Sequence, residues 1–132
     1  MTESVILDSS AILAVIFGEP VRDRILDRLA SVTLVAVGAP TVAEAAIVLC
    51  SRLNQDARPR LQEFLRELEA EIIPFTTEHL QLAVDAFLRY GKGRHAASLN
   101  FGDCLCYAVA TVAGAPLLCT GDDFAKTDLD VA

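Results

Sequence analysis

Asp8, Glu44, Asp103 and Asp122 each stand where a strand or loop hands over to a helix, and folding that gathers them makes a divalent-metal site. Carboxylate oxygens are the hard ligands that Mg²⁺ and Mn²⁺ prefer, and several brought together repel one another unless a cation sits between them. Each acid also has a local alternative. Asp8 precedes Ser9-Ser10 and suits a helix N-terminus, where the dipole favours a carboxylate. Thr41-Val42-Ala43-Glu44 matches a capping box, in which the glutamate reaches back to the N-cap N–H. Asp103 follows Asn100-Phe101-Gly102 in N-cap position, and Asp122-Asp123 fits an acidic turn, with one of the two facing a site.

Around these acids lie residues suited to an anionic substrate. Ser10 can orient the Asp8 carboxylate, touch a phosphate or cap the helix. Lys92, Arg94 and His95 occupy the loop before Asp103; a solvated loop explains them, while Arg94 has the geometry to clamp a phosphate with two hydrogen bonds. His95 reads as a loop residue rather than a base. Tyr90 and Phe101 are candidates for stacking on nucleobases, with core packing the favoured use of Phe101.

The elements that must position these side chains follow from periodicity. Val5-Ile6-Leu7 is a short apolar run ending at Asp8, followed by an apolar helix from Ala11 to Phe17 with Ser9 or Ser10 available to cap it. Val21, Ile25, Leu26 and Leu29 keep helical spacing. Thr33 to Val37 reads as a second strand closed by Gly38 and Pro40, and Thr41 to Leu53 as a mostly apolar, largely buried helix. Leu61, Phe64, Leu65 and Leu68 define an amphipathic surface helix, and Glu71 to Phe75 a third strand. A helix capped by Thr76 or Thr77 runs to about Tyr90, another spans Gly102 to Ala113, and Pro116 to Thr120 is a fourth strand. Leu129 to Val131 is a weaker candidate for a fifth. Strands alternating with helices predict a three-layer α/β/α sandwich with a mostly parallel sheet, whose ligands gather beyond the carboxyl ends of the strands. All four acids can start from that rim.

At 132 residues and 53% hydrophobic, the chain is one domain, residues 1–132, able to bury roughly two-thirds of its unfolded surface. A formal charge of −7 opposes nonspecific attraction to polyphosphate, so any phosphate-binding surface must be small and local. Cys50, Cys104, Cys106 and Cys119 contain no C-x-x-C pair and read as reduced, mostly buried thiols, which suits the cytoplasm. The apolar stretch Ala11 to Phe17 is too short to span a membrane, and the acids before it are wrong for a signal peptide.

The ordered set Asp8-Ser9-Ser10, Glu44 in an apolar helix, Asn100-Phe101-Gly102-Asp103-Cys104 and Thr120-Gly121-Asp122-Asp123-Phe124 resembles the PIN-domain ribonucleases, and most of all the VapC toxins of bacterial toxin–antitoxin systems. Tyr90-Gly91-Lys92-Gly93-Arg94-His95 resembles one VapC subgroup in particular. The resemblance implies a PIN-like fold in which Asp8, Glu44 and Asp103 bind Mg²⁺ or Mn²⁺ with Asp122 as the fourth acid. The doubled Asp122-Asp123 departs from relatives that separate the two acids by one more residue. It further implies hydrolysis of RNA phosphodiester bonds at exposed single-stranded loops by water activated in the acidic cluster, a homodimer, and a cognate VapB-type antitoxin through which DNA is met indirectly. Apolar positions on the second and fourth helices are compatible with dimer or antitoxin contacts, with ordinary core packing as the alternative. Two alternatives stay open: a catalytically silent PIN-like module that binds RNA or protein, and a phosphatase with Asp8 as nucleophile, against which the serine at position 10 in place of a second aspartate speaks.

Overall fold

The computed structural model describes residues 3–132. In chain order its elements are β1 (Ser4–Leu7), α1 (Ser9–Ile16), α2 (Arg22–Ala30), β2 (Leu34–Gly38), α3 (Ala39–Leu53), α4 (Arg58–Glu67), β3 (Glu71–Ile73), α5 (Thr77–Tyr90), α6 (Phe101–Ala113) and β4 (Leu117–Leu118), then a short 3₁₀ turn at Phe124–Lys126. The strands pair in parallel in the order β3-β2-β1-β4. Consecutive residues of β1 face opposite sides of the sheet, and Val5, Ile6 and Leu7 are all aliphatic because both sides are covered. Val5 and Leu7 pack with Ile12, Ile25, Leu49 and Leu61 from α1 to α4. Ile6 packs on the other side with Ala86, Tyr107 and Val109 from α5 and α6. The result is a three-layer α/β/α sandwich.

Strand order locates the functional rim. The chain steps outward from β1 to β2 to β3, then crosses back to lay β4 on the other side of β1. The direction of winding therefore reverses between β1 and β4, and the crevice beyond the carboxyl ends at such a reversal is the general ligand position of open parallel sheets. Asp8 follows β1 directly, and Thr120 to Asp123 follow β4. The helices α3 and α6 begin at the same rim, because each must run back toward the opposite end of the sheet before the next strand.

Three local expectations are corrected. The helix α3 starts at Ala39, two residues before Thr41, with Pro40 in its first turn and Gly38 as N-cap. Proline suits that turn because its missing N–H has no helical partner there. Thr41 is thus buried inside the helix, and its capping box with Glu44 does not form. Only Thr41, Ala45 and Leu49 of α3 are buried, and Ile47 is 69% exposed, so the helix is apolar without being enclosed. Helices α2 and α4 bury Ile25, Leu29, Leu61 and Leu65 in the core, as the core-packing alternative has it, and the exposed apolar side chains include Ile47, Leu80, Val84 and Phe101 on α3, α5 and α6. Finally, β3 and β4 are shorter than the apolar runs that announce them, and the Leu129 to Val131 segment contributes one parallel bridge, Leu117 with Val131.

Cys104, Cys106 and Cys119 are buried and Cys50 half-buried, all as free thiols. No helix among the described residues is long and apolar enough to cross a membrane.

Candidate metal centre

Asp8 is held by three elements at once. Its backbone N–H donates to the Leu118 carbonyl at 3.0 Å, which fixes it against β4. It is also the N-cap of α1, in extended conformation, with Oδ2 accepting from the Ser10 N–H at 3.1 Å and the Ser10 hydroxyl at 2.5 Å. At 6% exposure it is nearly buried. Capping and site readings do not compete here, since both bonds use Oδ2 and leave Oδ1 for another partner. The Ser10 oxygen in turn accepts the Thr120 N–H at 3.0 Å. Of the three roles open to Ser10, this geometry gives it the orienting one: its proton is committed to Asp8 and its lone pair to the segment after β4.

Asp103 shows the same division of labour. Asn100 is the N-cap of α6, accepting the Asp103 N–H at 2.8 Å, while Asp103 Oδ2 accepts the Asn100 N–H at 3.0 Å. Asp103 is therefore the third residue of a capping box rather than the cap. Burial pushes its carboxyl up to about 6, against the Asn100 hydrogen bond, and the charges of Asp8, Glu44 and Asp123 push the same way. These four carboxylates thus share one electrostatic neighbourhood. Glu44, freed from the capping box, lies half-buried with its carboxylate against Gly102.

The tandem acids, of which the resemblance implies Asp122 with Asp123 as its competitor, differ in their electrostatic reach. Asp123, one residue later than Asp122, carries the charge that acts on Asp103 and on Cys119. Both aspartates are exposed, and Asp122 is not among the charges acting on either group.

The donor set is entirely carboxylate. Burial, and after it the charge of Asp8, keeps the Cys119 thiol protonated up to about 11 and raises Cys106 as well, so soft thiolate ligands are not on offer. Among the described residues no three His, Cys, Asp or Glu side chains close on a common point tightly enough to hold an ion alone. Such a set fits Mg²⁺ better than a closed cage would, because Mg²⁺ retains several waters and takes only one or two carboxylates directly.

Lys92 and Arg94 are exposed, Arg94 lies over the Phe87 ring at 5.5 Å from its centroid, and neither is among the charges acting on Asp103. Arg24 of α2 does act near the rim, opposing the upward push on Cys119. Nothing in the helical pattern separates Arg24 from Arg22 or Arg28 as a rim residue, so only the packing of α2 reveals it. Tyr90 is buried, with its hydroxyl bonded to Arg89 at 2.8 Å and its ring edge-on to His95, and is not free to stack on a base. His95 accepts the Ala97 N–H at 3.0 Å and serves the loop. Phe101, expected in the core, is 79% exposed.

The Asp103 environment predicts a pH signature for metal-free protein. The carboxyl titrates near 6 in the fold and in the ordinary range, about 4, when unfolded, so the folded state holds a proton that the unfolded chain has released between those values. Stability from this proton is complete below about pH 4 and is lost as pH rises through about 6. In EDTA, the melting temperature of the wild type is expected to fall relative to Asp103→Asn between these limits. Parallel curves for the two proteins would contradict the environment described.

A family model described as the PIN domain matches residues 5–129. Ribonuclease VapC36 of Mycobacterium tuberculosis is 44% identical over 95% of this chain and 91% of its own length. Among solved structures, M. tuberculosis VapC20, titled a sarcin–ricin loop cleaving toxin, superposes with a TM-score of 0.79 at 16% identity, covering 97% of this chain and 98% of that one. VapBC2 from Rickettsia felis, solved bound to a promoter DNA fragment, matches with a TM-score of 0.72 at 16% identity over 98% and 97% of the two chains.

Proposed function

Because this chain belongs to the PIN-domain family and within it to the VapC ribonucleases, we propose that it is the toxin of a toxin–antitoxin pair and a Mg²⁺- or Mn²⁺-dependent endoribonuclease. The observation that supports the metal dependence is that Asp8, Glu44 and Asp123 all lie close enough to Asp103 for their charges to push its carboxyl up, beside the crevice between β1 and β4. Four acids in one neighbourhood are costly to the fold alone and are relieved by a cation.

In this reading Asp8 and Asp103 would hold the ion, with Glu44 and Asp123 as the further acids of the cluster. When bound, the ion supplies water activation, charge neutralisation on the nonbridging phosphate oxygens and stabilisation of the leaving oxygen. The protein's own contribution is positional. Ser10 keeps the Asp8 carboxylate in one orientation and ties it to the strand that delivers Asp123. The capping box does the same for Asp103. One carboxylate of the cluster accepts the proton that water gives up as it attacks phosphorus. An open single strand suits a crevice of this kind, because one phosphodiester must be presented away from a duplex. With a net charge of −7, RNA is attracted locally by the bound cation and by side chains such as Arg24, Lys92 and Arg94, rather than by the protein as a whole.

The same reading includes a homodimer and a VapB-type antitoxin, with DNA reached through the antitoxin, in the reducing cytoplasm that the free thiols suit. Support for association comes from the apolar side chains Ile47, Leu80, Val84 and Phe101, which are exposed among the described residues.

The function is tested by incubating purified protein with structured RNA. Cleavage is expected only with Mg²⁺ or Mn²⁺, to fall at least about 100-fold in EDTA and to return when the metal is restored. Cleavage that persists undiminished in chelator sinks the metal mechanism, and intact RNA under every metal condition sinks the nuclease. Light scattering on the same sample is expected to give the dimer mass, and a monomer at tens of micromolar would contradict the homodimer.

A further inference from the structure

We infer that Gly102 is a positioning residue: the absence of a side chain there is what lets the Glu44 carboxylate join the acidic cluster at Asp103. The inference rests on the metal reading above and concerns how this chain builds the site.

Gly102 is the second residue of α6, where glycine is a poor choice for helix stability because it gives up more backbone freedom than any other residue. Its backbone conformation does not require glycine, since its φ lies outside the left-handed region that four other glycines of the chain occupy. The reason for glycine is space. A Cβ at this position would lie 2.5 Å from Glu44 Oε2 and 3.1 Å from both Cδ and Oε1. All three nearest atoms belong to the end of one flexible side chain.

Other close glycines differ in kind. A Cβ on Gly38 would meet Val109 Cγ2 at 2.8 Å, and one on Gly91 the Phe87 carbonyl oxygen at 2.4 Å. Those are collisions with a core side chain and with backbone, which only the fold can absorb. At Gly102 the carboxylate of Glu44 can swing away, and a cleft of about 380 Å³ lined by Glu44, Ile47, Phe101 and Gly102 gives it room. A methyl group at position 102 therefore displaces the acid while leaving the core as it was.

The test is Mn²⁺ titration by calorimetry on wild type, Gly102→Ala, Glu44→Ala and the double variant, with thermal melts in EDTA beside it. Gly102→Ala is expected to weaken Mn²⁺ binding roughly 10–100-fold, the range for residues that orient metal ligands, while melting no lower than wild type without metal. In the Glu44→Ala background the added methyl has nothing left to displace, so the double variant should bind as Glu44→Ala alone does. Unchanged affinity in Gly102→Ala, a further loss in the double variant, or a lower metal-free melting temperature each overturn the inference. Wild-type protein that binds no Mn²⁺ overturns the metal reading and the role of Gly102 with it, an outcome separate from the other three.

Discussion

Asp103→Asn is expected to lower RNA cleavage at least about 1,000-fold, about 4 kcal/mol of transition-state stabilisation, while the protein stays folded. The substitution is close to isosteric, and the asparagine carbonyl can still accept the Asn100 N–H that Asp103 Oδ2 accepts. The capping box therefore survives, and the charge does not. Removing one of four neighbouring carboxylates also relieves repulsion in metal-free protein, so melting above pH 6 should occur at the wild-type temperature or higher. Asp8→Asn is an equally clean test, because asparagine caps a helix as well as aspartate does. Its loss of activity should match that of Asp103→Asn. The double variant should be little worse than either single one, as expected of groups that act as a unit. Activity within tenfold of wild type in either folded variant is incompatible with a cluster organised around these two acids.

Much of the framework behind that expectation is legible in the sequence, for a definite reason. Val5-Ile6-Leu7 has no polar member, which in a short run means a strand covered on both faces, and the acid that closes it must then emerge at the carboxyl rim. The Asn100-Phe101-Gly102-Asp103 stretch likewise announces a helix start, because capping chemistry is local. Asp8 and Asp103 are readable as rim acids on those grounds. The Thr41 to Glu44 capping box is a false local signal. It competes with Pro40, whose fixed φ suits the first turn, and the helix simply begins earlier. That outcome frees Glu44 from a capping role, and its carboxylate lies against Gly102 of α6.

Tertiary placement is where sequence reading runs out. Phe101 and Ile47 carry the residue type of a core, and nothing in their spacing tells which apolar face lacks a covering element. Arg24 looks like any charge on an amphipathic helix until α2 is packed against the sheet edge that presents Cys119. The fourth strand is shorter than its apolar run because the Thr120 N–H leaves the ladder for the Ser10 hydroxyl. That bond joins residues 110 positions apart, which no local pattern encodes.

The tandem acids follow from the same bond. Asp123→Asn is expected to lower cleavage about 100-fold, and Asp122→Asn less than about threefold. With Thr120 fastened to Ser10, the chain turns at Gly121, whose positive φ of 75° reverses its direction, and enters the 3₁₀ turn that begins at Phe124. Phe124 is 4% exposed and anchors this turn in the α5–α6 side of the core. Between a fixed serine contact and a fixed aromatic anchor, the two aspartates cannot exchange places. Both aspartates are exposed, and of the two only Asp123 has its charge acting on Asp103 and Cys119. Isothermal Mn²⁺ titration separates this from a structural effect: Asp123→Asn should weaken binding in step with its loss of cleavage, whereas Asp122→Asn should bind as wild type does. A reversed order of the two variants would mean that the turn rearranges when a cation binds, since in the metal-free geometry it is the charge of Asp123 that acts on Asp103.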